Sequence, residues 1–377
     1  MHILIAPNAF KNSLSAEAAA TAILLGLQQS RLKFTAERFP VGDGGDGTGD
    51  LLMARLRARK IEVMTRDPFG RERKSYYGLS ADGETAIIEM ANASGLRLLA
   101  TGELDPLHAS SRGTGELISA ALEEHPRRIL IGMGGSATVD GGAGILTALG
   151  IRFLDANGHE ITSLPSGLNN LGSIDVRRLD TRLKNTELTV LCDVDNPLLG
   201  PHGAAAVFGP QKGASPRDIE QLETALQQLS KVINRQFDID LSDLPKSGTA
   251  GGAAAGLHAL LDAGLVNGID VFLKTTDFEN ALKRADWVIT GEGSIDEQTL
   301  RGKGPFGVAV AAKKHGLPVI GLAGSVPREE NAALSSCFDV LLPINHEPLP
   351  LGQALPETAA NLTATARAIG NLLAAGA

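Results

Sequence analysis

Four stretches of this 377-residue chain place carboxylates where an apolar, strand-like run gives way to a turn. The first reads Pro40-Val41-Gly42-Asp43-Gly44-Gly45-Asp46-Gly47-Thr48. The second is Gly132-Met133-Gly134-Gly135-Ser136-Ala137-Thr138-Val139-Asp140-Gly141-Gly142. The third, Cys192-Asp193-Val194-Asp195-Asn196-Pro197, has no glycine of its own. The fourth is Gly291-Glu292-Gly293-Ser294-Ile295-Asp296. Glycines let a backbone approach a phosphate closely and turn its N–H groups toward it. Carboxylates suit Mg²⁺, which takes oxygen ligands and often bridges to substrate phosphates. Together they point to a metal–nucleotide site. Acidic loops alone would repel a polyphosphate, so the idea requires a cation.

Each motif has a functional and a plainer reading. Asp43 and Asp46 flank Gly44 and Gly45 at the end of a strand, where open α/β sheets place ligands; equally, they suit a helix N-terminus. Gly134, Gly135, Ser136 and Thr138 offer consecutive N–H donors and two hydroxyls, a phosphate cradle or else a tight turn. Asp193 and Asp195 alternate on an extended segment, so both carboxylates could face one cation, or simply make a polar turn. Lys212, in Gly209-Pro210-Gln211-Lys212-Gly213, offers a point charge to a phosphate or lies solvated. Glu292 and Asp296 could accept a proton from a hydroxyl or hold Mg²⁺, and Lys303 and Lys11 could neutralise a transferring phosphate. A solvated loop charge is the alternative for all four. The eight histidines form no close pair at ligand spacing.

Composition narrows the classes. A net charge of −8 argues against general nucleic-acid binding and against an anionic membrane surface. An aromatic content of 4% argues against a stacking platform for single strands. With only Cys192 and Cys337, neither a disulfide scaffold nor a zinc cluster is expected. The start, Met1-His2-Ile3-Leu4-Ile5-Ala6, reads as a first strand and not as a signal peptide. No run approaches the roughly 20 apolar residues of a membrane span, so a cytoplasmic protein is expected. No segment fits G-x-x-x-x-G-K-[ST], and no G-x-G-x-x-G opens a helix after the first strand; a P-loop or dinucleotide site is disfavoured.

The elements that must carry these loops follow an α/β pattern. Strands are expected at 2–6 and 35–41, with a helix between them capped by Ser13 or Ser15. From 61 to 90 the pattern changes to short alternating runs, with Asp82-Gly83 as a hairpin signal. A helix is expected at 114–124, a strand at 128–132 and a long amphipathic helix at 216–237. Strand–helix alternation returns at 287–290, 306–315, 317–322, 340–343 and 359–374. A βα pattern at both ends with mixed structure between them predicts an inserted domain: 1–66 with 285–377 as one α/β domain, 67–284 as a mixed α/β insertion.

Read together, the motifs resemble the type I glycerate kinases, the bacterial glycerate 2-kinases. The resemblance rests on Pro7…Phe10-Lys11 and the Asp43 loop, then on Ser111-Arg112-Gly113-Thr114-Gly115-Glu116 and the 134–144 loop. It continues through Cys192–Leu198 (Cys-Asp-Val-Asp-Asn-Pro-Leu), Phe208-Gly209-Pro210-Gln211-Lys212-Gly213-Ala214, Gly291-Glu292-Gly293…Ile295-Asp296…Gln298-Thr299 and Gly321-Leu322-Ala323-Gly324-Ser325. These segments span almost the full chain in one order. The resemblance implies transfer of the ATP γ-phosphoryl group to glycerate, with Mg²⁺, giving 2-phosphoglycerate. It implies a flavodoxin-like, three-layer domain built from both chain ends, with the active site in the cleft beside the insertion. Mapped onto this chain, it makes Asp43, Asp193, Asp296, Lys11 and Lys303 the catalytic set. Gly134, Gly135, Ser136, Thr138 and Lys212 become the nucleotide and phosphate set, Asn8, Gly44, Gly45 and Ser294 the acceptor set, and Asp193, Asp195 and Glu292 the metal ligands.

The chain departs from the family pattern at a few places. Asn8 and Ala9 replace Asp and Ser, Val139 replaces Asn, Ser294 replaces Arg, and Asp46 stands where Glu is frequent. Asn8, Val139 and Ser294 are expected to come together on the acceptor side. Two rival readings follow: a kinase of another small hydroxy acid, and a weakly catalytic nucleotide- or acid-binding paralogue. A metal-dependent phosphatase using the same carboxylates is a third.

Overall fold

The computed structural model describes residues 1–297, 299–329 and 331–376, so Gln298 of the motif set lies outside the described residues. The strands in chain order are β1 (His2–Ile5), β2 (Thr35–Arg38), β3 (Arg59–Arg66), β4 (Glu72–Leu79), β5 (Thr85–Glu89), β6 (Arg128–Gly132), β7 (Arg152–Asp155), β8 (Leu171–Asp175), β9 (Glu187–Cys192), β10 (Gly264–Asn267), β11 (Trp287–Ser294), β12 (Val319–Ser325) and β13 (Val340–Pro343). The chain divides into two compact units, Met1–Asp43 with Ile269–Ala377, and Gly44–Gly268. Sequence patterning sets the same two divisions later, at 66/67 and 284/285. The earlier first division has a physical reason: β3 pairs antiparallel with β4 along its whole length and so belongs to the inserted sheet.

The first unit is a five-stranded parallel sheet in the order β13-β12-β11-β1-β2. Within that unit the strands run 2-1-3-4-5, the flavodoxin-like order, and the chain reverses its direction of winding between β1 and β11. Helices follow β1 (Ala16–Gln28), β11 (Gly304–Lys314) and β13 (Thr358–Ala375). The cap of the first is Ser15, which accepts the Ala18 N–H. That helix and the last one approach so closely that a Cβ at Gly26 would lie 2.2 Å from the Thr363 carbonyl oxygen. Ile3, Ile5, Ile23, Leu27, Ile289 and Leu362 are fully buried in the core. Burying each is worth about 1.5–3 kcal/mol.

The second unit holds a six-stranded sheet, β10-β9-β6-β5-β4-β3, and the antiparallel pair β7-β8. Its β3, β4 and β5 are antiparallel, while β5, β6, β9 and β10 are parallel. The turn at Asp82-Gly83 joins β4 to β5 as expected, with Gly83 at φ +75°. The long helix Pro216–Phe237 begins with a reciprocal Ser215–Asp218 capping box and packs Leu222, Leu226 and Leu229 into a core shared with Phe153 and Ile174. Among the described residues, no helix is long and apolar enough to cross a membrane.

One expected loop is a strand. β11 does not stop at Thr290 but continues to Ser294, paired with β12 through Ser294↔Ser325. Glu292 therefore projects from a rigid strand in place of a turn. The pairing with β12 extends the strand over two glycines that local propensity reads as loop.

Candidate active site

In the first unit, the chemistry gathers at the C-terminal ends of β1 and β11, beside the point where the winding reverses. The segment after β1 stays on β11 through Ala6 N–H to Ile289 O and Asn8 N–H to Gly291 O, 2.8 Å. Asn8 is buried. Its Nδ2 donates to Asp43 Oδ2 at 2.7 Å, and its Oδ1 accepts the Ala9 N–H. The Gly304 N–H, opening the helix Gly304–Lys314, also reaches Asp43 Oδ2, at 3.3 Å. A side chain at Gly304 would put Cβ 2.8 Å from Asn8 Nδ2, so only glycine lets this helix start so close.

Glu292 is 7% exposed and accepts a 2.8 Å bond from Thr299 Oγ1. Burial pushes its carboxyl up to about 7; Lys303 opposes that rise, while Asp43 adds to it. The five groups Asp43, Glu292, Asp296, Thr299 and Lys303 thus form one electrostatic cluster. Lys303 sits at the cap position of the helix Gly304–Lys314. Lys11 is exposed, in the loop that passes over Gly293, where a Cβ would meet its backbone N at 3.6 Å. Ser294 is exposed at the end of β11, with its hydroxyl 3.4 Å from Asp296 Oδ2.

In the second unit, two glycine loops lie directly on one another. The Gly134 N–H donates to the Gly44 carbonyl at 2.9 Å. A Cβ at Gly134 would lie 2.3 Å from the Gly45 carbonyl carbon, and one at Gly44 would lie 2.7 Å from Leu191 O. Gly44 takes φ +100° and Gly135 φ +71°, which L side chains rarely adopt. The loop after β6 runs ten residues before the helix Ala143–Ala148 begins, so it is no tight turn.

Beneath this loop lies Lys212, 2% exposed. Its Nζ donates to Ser136 Oγ at 2.8 Å and to the Thr138 carbonyl at 2.7 Å. Burial lowers its pKa to about 7, with Asp140 and Asp193 pulling back up. Lys212 is thus a buried group beneath the cradle and no surface charge. The Thr138 hydroxyl is buried without a hydrogen-bond partner among the described residues, a donor held inside the same loop.

Asp140 closes the loop. Its carboxylate accepts the N–H and hydroxyl of Ser111 and the N–H groups of Gly142 and Gly144. That network explains why Ser111 and Asp140, distant in sequence, recur in one motif set. Val139, by contrast, is fully buried among Ala143, Leu146, Leu198 and Leu226. It belongs to the hydrophobic core of the second unit, so the expectation that it lines an acceptor pocket with Asn8 and Ser294 does not hold. An apolar side chain here is what its surroundings require.

At the end of β9, Asp193 is half-buried and Asp195 forms an ion pair with Lys246, Nζ to Oδ1 2.6 Å. Lys246 opens a segment, 246–252, that takes φ > 0 at Lys246, Ala250, Gly251 and Gly252. A Cβ at Gly251 would lie 2.0 Å from Thr138 O, so this segment wraps the far side of the 134–142 loop. Among the described residues, no group of three or more His, Cys, Asp or Glu side chains gathers to hold a metal. Mg²⁺ held through one or two carboxylates and the substrate's phosphates needs no such cluster, and the oxygen donors of Asp193 and Asp195 fit that mode.

Several residues that shape these loops carry no obvious motif: Glu89, Arg97 and Lys246. The available signal was a charged residue ending an apolar run, as Glu89 ends Thr85-Ala86-Ile87-Ile88.

Comparison with known proteins gives full-length matches. The chain matches the model of the Glycerate kinase family over residues 3–374. It is 46% identical over 369 residues to the glycerate kinase of Bacillus subtilis (strain 168), covering 98% of this chain and 97% of that one. It is 42% identical to the glycerate 2-kinase of Escherichia coli (strain K12), covering 100% and 99%. A solved structure described as glycerate kinase 2 from Salmonella typhimurium LT2 superposes with a TM-score of 0.82 at 44% identity, covering 100% of this chain and 99% of that one.

Proposed function

This chain belongs to the glycerate kinase family, and from that premise we propose that it transfers the γ-phosphoryl group of ATP to the 2-hydroxyl of glycerate, giving 2-phosphoglycerate. The observation that carries this reading is the pair of abutting glycine loops, 44–47 and 134–138, with a buried lysine under the second. Such loops present N–H donors to phosphate oxygens, and phosphoryl transfer depends mostly on positioning and charge neutralisation.

In this reading Gly134, Gly135, Ser136 and Thr138 receive the nucleotide phosphates, with Lys212 as the counter-charge behind them. Asp193 and Asp195 would hold Mg²⁺, which supplies charge neutralisation on the phosphates when bound. Lys246 then shares Asp195 with the cation. Asn8, Gly44, Gly45 and Ser294 serve the acceptor. Asn8 fixes the Asp43 carboxylate, and Asp43 orients the acceptor hydroxyl. Glu292, whose carboxyl burial pushes up to about 7, accepts the proton of that hydroxyl in this reading. Asp296 tunes Glu292, and Lys303 and Lys11 offset charge on the transferring group. A small-molecule acid and ATP are the partners this reading requires, within a cytoplasmic enzyme.

The test is ADP release with a panel of hydroxy acids, with and without Mg²⁺. Coupling the product to enolase reports 2-phosphoglycerate directly, whereas 3-phosphoglycerate gives no signal. ADP release with another acid but not with glycerate would transfer the reading to that acceptor. Nucleotide binding without turnover on any acid would leave a binding paralogue.

A further inference from the structure

We propose that Glu89 is a positioning residue for phosphoryl transfer, acting through the 43–47 loop that it anchors from below. Glu89 ends β5 and is 1% exposed. Its Oε1 accepts the Gly47 N–H, and its Oε2 accepts the Gly49 N–H at 3.0 Å. One buried carboxylate thereby fixes both the end of the loop and the first turn of the helix Thr48–Arg55. Its side chain is also hydrogen-bonded to Asp46, which accepts from Arg97 as well, at 2.9 Å. Arg97 in turn reaches back to Asn92 Oδ1, so the loop is braced on its outer side as well.

The fit admits no slack. A Cβ at Gly49 would lie 2.6 Å from Glu89 Oε2. Glu89 also pairs with Gly132 across β5 and β6, at the root of the second glycine loop. Because Gly134 rests on Gly45 and Asp46, a shift at Glu89 moves the surface on which the second loop sits. A carboxyl this deep is costly unless its oxygens are bonded, and its bonds run to the loop and to the first turn of the helix that follows it. A solubility or surface role is excluded by its burial. This inference rests on the reading of Gly44 and Gly45 as acceptor-binding residues.

The test uses the full-length enzyme with Glu89→Gln, which keeps the length and one acceptor oxygen, and Gly49→Ala, which disturbs the same anchor from the loop side. Melting temperature, steady-state constants for both substrates and calorimetric glycerate binding are measured for each. Both variants are expected to remain folded and to lose about tenfold to a hundredfold in kcat/KM for glycerate, the scale of a misplacement near 1 Å, with a smaller rise in KM for ATP, whose proposed loop rests on this one. Weaker glycerate binding should accompany that loss. Variants that lose only melting temperature, with wild-type constants for both substrates, would overturn the proposal. A rise in KM for ATP alone would keep Glu89 as the anchor and instead refute the assignment of the loop to the acceptor. If both variants fail to fold, Glu89→Asp keeps the carboxyl while shortening the reach, and wild-type kinetics in that variant would equally overturn the idea.

Discussion

Lys212 Nζ lies 2.8 Å from the Ser136 hydroxyl and 2.7 Å from the Thr138 carbonyl, so a buried amine ties both ends of a three-residue segment of the second glycine loop. Replacing it with Met removes two hydrogen bonds and the counter-charge behind the proposed phosphate cradle. We expect Lys212→Met to weaken nucleotide binding by on the order of 1.5–3 kcal/mol, about 10- to 150-fold. Ser136→Ala, which removes one bond and no charge, should cost less. Calorimetric titration with ATP checks the order of the two effects.

The same lysine gives a pH signature. Burial lowers its pKa to about 7, so it loses its proton as pH rises through neutrality. An anionic phosphate arriving at the loop favours the charged form and draws the pKa back up. Nucleotide binding should therefore take up a proton above about pH 7 and weaken as pH rises further. Titrations in two buffers of different ionisation enthalpy should give different apparent heats for the wild type and equal heats for Lys212→Met.

Glu292 titrates in the same range with the opposite consequence for catalysis. A proton acceptor must be ionised, and burial holds this carboxyl up near 7. With ATP saturating, we expect kcat/KM for glycerate to rise between about pH 6 and about pH 8 and then level off. Glu292→Gln should lose about 10²–10⁴-fold in kcat and flatten the rise. An unchanged profile in that variant would assign the titration to another group.

How much of this was legible in the sequence depends on the range of the interaction. Pro216–Phe237 carries its own cap and a long apolar stripe, and the expected helix at 216–237 is the one found. The 2-1-3-4-5 strand order required only the βα rhythm at both ends together with the family resemblance. The end of β11 was misread because its glycines signal a loop locally, while pairing with β12 is a long-range fact. Lys212 reads in the sequence as a charge for a phosphate or as a solvated lysine, and its burial depends on the 134–138 loop folding over it. Glu89 went unread, and Val139 was expected on the acceptor side, for a related reason. Nothing beside either residue in the chain tells that Glu89 holds a distant loop, or that Val139 is sealed in a core.

Stability should carry a trace of Glu89. Burial and its contact with Asp46 push its carboxyl up to about 8, above the ordinary 4.5. A raised folded-state pKa means that the folded protein holds the proton more tightly than the unfolded chain. Its stabilising contribution is complete below about pH 4.5 and is lost as pH rises through about 8. The wild-type melting temperature should therefore fall from about pH 5 to about pH 9 more steeply than that of Glu89→Gln, which carries no titrating group at the position. Parallel curves would show that Glu89 does not titrate in that window.

The departures from the family pattern make a final, divided prediction. Val139 is fully buried among aliphatic side chains, so Val139→Asn places an amide where no partner waits. That change should cost roughly 1–3 kcal/mol and lower the melting temperature by several degrees. Ser294 is exposed, and Ser294→Arg should leave stability within about 0.5 kcal/mol. Asn8→Asp is different again. It sets a second carboxyl against Asp43, where Asn8 Nδ2 now donates at 2.7 Å, so the pair must share a proton or separate. If Asn8 and Ser294 serve the acceptor, the Asn8→Asp/Ser294→Arg double variant should change the relative kcat/KM values across hydroxy acids while KM for ATP stays put. A restored arginine can grip a substrate carboxylate through two parallel bonds, which should lower KM for glycerate if the native chain favours another acid. An unchanged acceptor profile in a folded double variant would remove both residues from the acceptor site.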